Sequence, residues 1–483
     1  MKGDFTRDTF DVTRHFSRVL QQQGRVQLDA DANEQTAILL HYLRTLAADL
    51  IGPHGGPLAP LGFGITPQSK DFLIGPGRYY VQGWLVENEV DTPYSAQPDF
   101  PLADADTLDK ILATSGEYIV YLDVWERHLT YLDDGRVREV ALGGPDTASR
   151  AKVVWQVKLT PTVPPDSIET LNQQIKQDTA QLAQLRQNST AEPGSSEAAP
   201  ISTLQKQLDR LNRRLLATGA QDCSRPLLEL PFSDARMQAR VEPSDVIPDP
   251  CIQPPSSAFR GAENQFYRVE IHQASTDGQG NVTWSFKWSR DNGSVAAAIV
   301  EANFPDITVS PARGFAANQW VELLTPAQVL RGESGVLVKI AKVDGETLTL
   351  DLPTGGPDVS QAKQVRRWDQ TARPGAPLQG GAVPGVEGEW LDLEDGIQVR
   401  FEPGSTYRAG DYWHFPARVA TGQIEWPLDD QGRPALLPPR GIVHRYAPLA
   451  WVVAAAANAP AGGLTVKQDC RLVFQVTLNP AQP

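Results

Sequence analysis

Phe16–Gly52 reads FSRVLQQQGRVQLDADANEQTAILLHYLRTLAADLIG, and it decides how the amino-terminal part of the chain is built. Arg25–Leu28 alternates polar and apolar side chains, which predicts a short half-buried strand. Asp29 then stands where an N-cap belongs, its carboxylate positioned to accept the free N–H groups of a first helical turn, while Asp31 and Glu34 suit the positive end of the helix dipole. Leu39, Leu43, Leu46 and Leu50 follow at spacings of four, three and four. They predict one apolar ridge along a helix, widened by Ile38, Tyr42 and Ala47. Gly52 and Pro53 stop it. Such a ridge calls for a cover, either the rest of this chain or a partner chain. In the first case Leu43→Asp buries an unpaired charge and costs on the order of 3 kcal/mol or more.

Outward from this helix, 483 residues are too many for one core. Hydrophobic residues make up 41%, and 39 Gly with 39 Pro favour many short strands joined by turns over a helical bundle. A net charge of −14 and the lack of any long Lys/Arg cluster argue against nucleic acid and anionic membrane surfaces as partners. The most apolar run, Leu449–Ala457, is about half the ~20 residues that a membrane span needs, so no membrane insertion is expected. The opening MKGDFTRDTF has no apolar signal core, which predicts synthesis in a cytoplasm without a secretory signal. Cys223, Cys251 and Cys470 are far apart, odd in number and without a C-x-x-C pair, so neither a zinc site nor a disulfide framework is expected, and a reducing compartment is the simplest reading.

In chain order, the polar arm Met1–Phe16 carries Phe5, Phe10 and Phe16 as spaced aromatic anchors, suited to a neighbour or to its own domain. Tyr79, Val81, Trp84 and Val86 alternate on either side of a Gln82–Gly83 turn, and Glu117–Tyr131 alternates Tyr118, Val120, Leu122 and Val124 against Ile119, Tyr121, Asp123 and Trp125. Residues 1–160 thus read as an α+β domain made of arm, helix and strands. Ser167–Gln187 and Leu204–Leu215 show heptad-like leucines, Leu182 and Leu211 among them, joined by the flexible-looking Asn188–Pro200; residues 161–222 read as an inserted helical hairpin that packs on itself or on a partner. Residues 223–310 read as a β module with an extended Pro-rich lead-in over Gln221–Phe259. Residues 311–373 read as a small β-barrel with a hairpin turn at Asp344–Gly345, and 374–483 as a last β module. The fold class is therefore mostly β and multidomain, with small barrel or sandwich modules and an inserted α-helical hairpin.

No catalytic motif stands out: there is no G-x-S-x-G, H-E-x-x-H, P-loop or G-x-G-x-x-G, and the seven His are scattered. Asp29, Asp31 and Glu34 lack the glycine of a calcium loop, and Asp123 and Glu126, three apart on a strand, face opposite sides and read as solvated strand charges. No cofactor, metal or catalytic residue is expected, and the chain reads as a non-enzyme. Among 11 Trp, those at 368, 390 and 413 sit in the least regular contexts and are candidates for exposed aromatic contacts, including contacts with a cell-surface glycan.

Several stretches carry a resemblance together. They are MKGDFTRDTF (1–10), FSRVLQQQGRVQLDADANEQ (16–35), GRYYVQGWLVENE (77–89), YLDVWERHLTYL (121–132) with ALGGPDTASR (141–150), QFYRVEIH (265–272), FKWSRDNGS (286–294) and YRAGDYWHFPAR (407–418). The chain resembles an uncharacterised bacterial family found with phage tails and extracellular contractile injection systems, and GRVQLDADANEQ with its helix is similar to the amino-terminal region of phage tail-fibre and baseplate proteins. The resemblance covers most of the chain outside the helical hairpin. It implies a structural subunit of a phage-tail-like particle, at the baseplate or at fibre attachment, that acts by protein–protein docking; release by lysis or inside a larger particle is compatible with the lack of a secretory signal. The implied partners are other subunits, with self-association also compatible; the arm, ridge and hairpin patterns offer Phe5, Phe10, Phe16, Leu39, Leu43, Leu182 and Leu211 as the contacts. A surface-recognition, glycan-binding protein is the alternative; a polysaccharide hydrolase or a translocated cargo has less support.

Overall fold

The computed structural model describes the chain apart from residues 69–70, 100–101, 103–107, 113–115, 143–145, 163–167, 219–221, 231, 243–257, 277–281, 354, 373–375, 455–462 and 476–483. Cys251, the first residue of the expected hairpin (Ser167) and part of the lead-in over Gln221–Phe259 lie outside the described residues. The architecture is mostly β and multidomain, with an inserted helical hairpin.

The amino-terminal helix spans Asp29–Ile51 and ends at Gly52, as its sequence predicts. Its start differs. The N-cap residue is Leu28, and Asp29 is already helical; its carboxylate accepts hydrogen bonds from the Thr6 N–H at 3.0 Å and the Thr6 hydroxyl at 2.5 Å. Glu34 likewise accepts from the Thr9 hydroxyl at 2.6 Å. These acids hold the arm against the helix. No strand forms at Arg25–Leu28, which is exposed extended chain, because no neighbouring strand offers it a hydrogen-bonding edge.

Beside the helix, Gly77–Val81 and Trp84–Asn88 form the hairpin read from the sequence. Its turn needs Gly83: φ there is +79°, and a Cβ would lie 1.9 Å from the Arg44 carbonyl oxygen, so only glycine lets turn and helix touch. The central strand Gly116–Leu129 pairs on one side with Arg150–Pro161 and on the other with Arg445–Ala454. One face packs Tyr118, Val120, Leu122 and Val124 against Tyr79, Val81 and Leu449. The other packs Ile119 and Tyr121 against Leu227, Leu230 and Trp451.

The carboxy-terminal residues correct the domain boundaries. Arg445–Ala454 and Leu464–Asp469 complete the sheet of the amino-terminal unit, and Val473–Phe474 pairs in parallel with His54–Pro57. Residues 374–483 therefore do not form a module of their own. Their earlier strands join a sandwich: Val383–Pro384, Val282–Ser289, Gln265–Thr276, Tyr412–Arg418 and Gln423–Ile424 make one sheet, stacked on Leu391–Asp392, Ile397–Phe401 and Met237–Val241. Side-chain alternation along each strand could not reveal these distant pairings, because it reports which face is buried and not which strand lies alongside. The closed six-stranded barrel runs from Ala296–Asn303 to Gln364–Trp368 and so begins ahead of residue 311; Asp344–Gly345 makes its expected tight turn.

The hairpin consists of Ile168–Asn188 and Ala199–Ala217. It packs on itself through Leu182, Leu204 and Leu208, with Ile175 and Leu185 alongside. It also docks on the sandwich: Lys206 pairs with Glu402 at 2.9 Å and Arg210 with Asp234 at 3.0 Å. The connector read as flexible is held down, Glu192 pairing with Arg400 at 2.7 Å and the Ser196 N–H bonding the Gly388 carbonyl at 3.1 Å.

Cys223 and Cys470 form a disulfide, which overturns the expectation of no disulfide framework. A separation of 247 residues hid the pair, and only the return of the chain's end to the first sheet brings it together. Among the described residues no helix is long and apolar enough to cross a membrane.

Candidate functional site

Two features stand out: a charged junction with a cavity, and an uncovered leucine ridge. The junction follows from strand alternation. Along Gln265–Thr276, Tyr267, Val269 and Ile271 enter the sandwich core, which puts Arg268, Glu270 and His272 on the opposite face. Lys287, between core residues Phe286 and Trp288, and Tyr412 and His414, flanking Trp413, point the same way. The barrel answers with Glu322, Arg366 and Trp368 from its outer surface, and the arm inserts Met1 and Lys2.

The charges interlock. Glu270 takes Arg268 at 2.7 Å, Lys2 at 2.9 Å and Lys287 at 3.4 Å; Glu322 takes Lys287 at 2.6 Å, the Trp368 indole N–H at 2.8 Å and the Gly335 N–H at 2.8 Å. Burial alone would raise the Glu270 carboxyl, but Lys2, Arg268 and Lys287 outweigh it and hold it well below the usual carboxylate range. Glu322 is likewise brought to about 2, Lys287 and Lys2 outweighing its burial. Burial, reinforced by Lys287 and Arg268 and opposed by Glu270, lowers Lys2 to about 8. The Met1 amino group donates to the Tyr412 hydroxyl, and the Asn292 side chain donates to the carbonyls of Met1 at 3.0 Å and Gly3 at 2.9 Å. A cavity of about 310 Å³ opens here, reached by Trp84, Trp125 and His128 from the first unit and by Gln328 and Ser334 from the barrel.

A second cluster lies inside the first sheet. Asp123 contacts His444 at 2.7 Å and Lys158 at 2.8 Å and is fully buried, which corrects its reading as a solvated strand charge. His444 and Lys158 outweigh the effect of burial and lower its pKa. Glu126 pairs with Arg44 at 2.6 Å instead of with Asp123.

The sequence-derived contact residues divide sharply. Leu39, Leu43, Leu46 and Leu50 are 53, 62, 57 and 76% exposed, so nothing among the described residues covers the ridge. The helix instead seats through buried Ala30 and Ile38 and through Arg44, whose guanidinium stacks on Trp84 at 3.6 Å. Exposed Val26, Leu28, Leu40 and Tyr42 extend the apolar surface. Phe16 is exposed beside Arg14. Phe5 and Phe10 are not free anchors: they meet the chain's own His128 at 6.0 Å and His41 at 5.9 Å. Leu182 is buried inside the hairpin and Leu211 is half-buried on it.

The three tryptophans read as exposed contacts are corrected as well. Trp368 and Trp413 are fully buried, donating their indole N–H groups to Glu322 and to the Leu437 carbonyl. Trp390 is half-buried between the guanidiniums of Arg240 at 3.9 Å and Arg400 at 4.5 Å. Trp368 lies at the junction of barrel and sandwich, Trp413 in the sandwich core and Trp390 against the sandwich's own arginines. The junction charges themselves were missed, although Arg268, Glu270 and His272 at alternate positions opposite an aromatic face were a visible signal.

One solved structure, titled "Crystal structure of TssK", aligns over 80% of this chain and 98% of its own at 10% identity with a TM-score of 0.16, too slight a likeness to bear on the fold. No curated protein matches. A family model matches residues 1–460, nearly the whole length, and the chain belongs to that family of unknown function, DUF6519.

Proposed function

We propose that this chain is a structural subunit of a phage-tail-like contractile injection particle, at the baseplate or fibre attachment, and that it works by docking without bond chemistry. One observation carries the reading: the leucines of the Asp29–Ile51 helix stand in water while the cores around them are closed. Uncovered apolar surface of this extent beside a folded core is characteristic of a protein interface. Its spacing of four, three and four is that of a helical seam, so the occupant is an apolar helix of another subunit in the particle. The resemblance of the same stretch to tail-fibre and baseplate proteins points the same way. The arm and the hairpin contribute by bracing the chain internally, since both are docked on it.

The test is co-purification with particles. Leu43→Asp with Leu46→Asp should leave the free protein folded and remove it from assembled particles. Undiminished incorporation of that variant would rule out the ridge as the docking surface.

A further inference from the structure

We propose that the junction cavity is a binding site for a small oxyanion, a carboxylate- or phosphate-bearing molecule held by Arg366 and Arg445. Most charged residues lining the cavity have partners: Lys2 and Arg268 with Glu270, Arg127 with Asp133 and Arg440 with Asp8. Glu126 and Glu333 are taken by Arg44 and Arg331.

Among the described residues, two guanidiniums on this cavity remain without a carboxylate in ion-pair contact. Arg366 is buried and donates one Nη to the Gly293 carbonyl, while its Nε finds no hydrogen-bond partner. Glu322 stands opposite it in the barrel ladder, but its oxygens are occupied by Lys287, Trp368 and Gly335. Arg445 stacks on the Trp84 ring at 4.1 Å, and its Nη1 is also unpartnered. The third orphaned atom on this cavity is the Nε2 of His128. A guanidinium keeps its charge in a protein, so a buried N–H on it that finds no acceptor is costly. Two such guanidinium nitrogens on residues that line one cavity, with the neutral His128 imidazole beside them, describe a site whose acceptor is a ligand.

The local field agrees. Within the junction Lys2, Arg268, Lys287 and Arg366 face two carboxylates, Glu270 and Glu322. His128 is lowered to about 3 by burial and then by the Met1 amino group, Arg366, Arg268 and Lys2. An anion relieves this excess, and the planar guanidinium fork matches carboxylate and phosphate oxygens in pairs. At about 310 Å³ the cavity is at the lower end of small-molecule sites. Trp84, which carries the Arg445 guanidinium on its ring, and Trp125 line the same cavity beside the anion site. Because its walls come from the first unit, the sandwich and the barrel, an occupant would tie the three together.

The experiment is calorimetric titration of the full chain with inorganic phosphate and, separately, with citrate, against sodium chloride at matched ionic strength. Binding at one site per chain is expected for at least one anion, with a melting temperature above that in chloride. Phosphate alone, or citrate alone, assigns the head group. Arg366→Gln and Arg445→Gln should each weaken binding by about tenfold or more. Arg445 lies nearer the surface, so its variant keeps the test valid if Arg366→Gln folds poorly. Binding should also raise the His128 titration midpoint seen by NMR. The proposal is overturned by the absence of heat with both anions, by a melting shift equal to that in chloride, or by unchanged affinity in Arg445→Gln.

Discussion

Lys287 and Glu322 meet 2.6 Å apart between the sandwich and the barrel, each with 1% of its side chain exposed. A pair this dry is held in place by both modules, and removing one member strands the other. Lys287→Met should therefore cost about 3–5 kcal/mol. Urea denaturation followed by tryptophan fluorescence checks it; a loss below about 1 kcal/mol would mean that water reaches the junction.

The helix makes an opposed pair of predictions. Leu43 is exposed, so Leu43→Asp should change stability by no more than about 0.5 kcal/mol, against the cost expected had the ridge been covered. Ile38, five residues earlier, is buried, and Ile38→Ala should cost about 2–5 kcal/mol. Thermal melts of the two variants, side by side, separate the helix's seated face from its free one.

The Cys223–Cys470 disulfide closes a loop between residues 247 apart in sequence. Cross-linking so long a loop restricts the unfolded chain, and Cys223→Ser should lower stability by about 4–5 kcal/mol. Non-reducing peptide mapping should recover the 223–470 link, and a reductant should reproduce the variant's loss. An equal melting curve with and without reductant would contradict the pairing.

Acid should destabilise the fold. Burial is the main cause that lowers His272 to about 4, His414 to about 4 and His128 to about 3. Below the ordinary histidine value near 6.5 the unfolded chain binds these protons and the folded chain does not. Their contribution is complete above that pH and is lost as pH falls toward the folded values. Burial acts the other way on Glu394, raised to about 7, and Asp411, raised to about 6, whose contributions fall as pH rises. His54 is lowered by burial as well, so four histidines outweigh the two carboxyls and melting temperature should drop from pH 6 to 5. His272→Gln should make that loss smaller by about 1.4 kcal/mol per pH unit. An unaltered slope would show that His272 is not kept neutral by the fold.

What the sequence by itself determined is local. Leucine spacing and a terminal glycine define the Asp29–Ile51 helix, period-two alternation defines Gly77–Val81 and Gly116–Leu129, and Asp344–Gly345 defines a barrel turn. These signals are read from neighbours along the chain, where geometry repeats every 2 or 3.6 residues. The tertiary structure alone decided that Arg445–Ala454 lies beside Gly116–Leu129, that Cys223 reaches Cys470, and that Lys287 finds Glu322. It also decided which face of the helix is seated, through the contact of Gly83 with Arg44. The physical reason is that alternation and helical periodicity distinguish buried from exposed faces, whereas the partner of a buried face is chosen by the fit of surfaces brought together from distant parts of the chain.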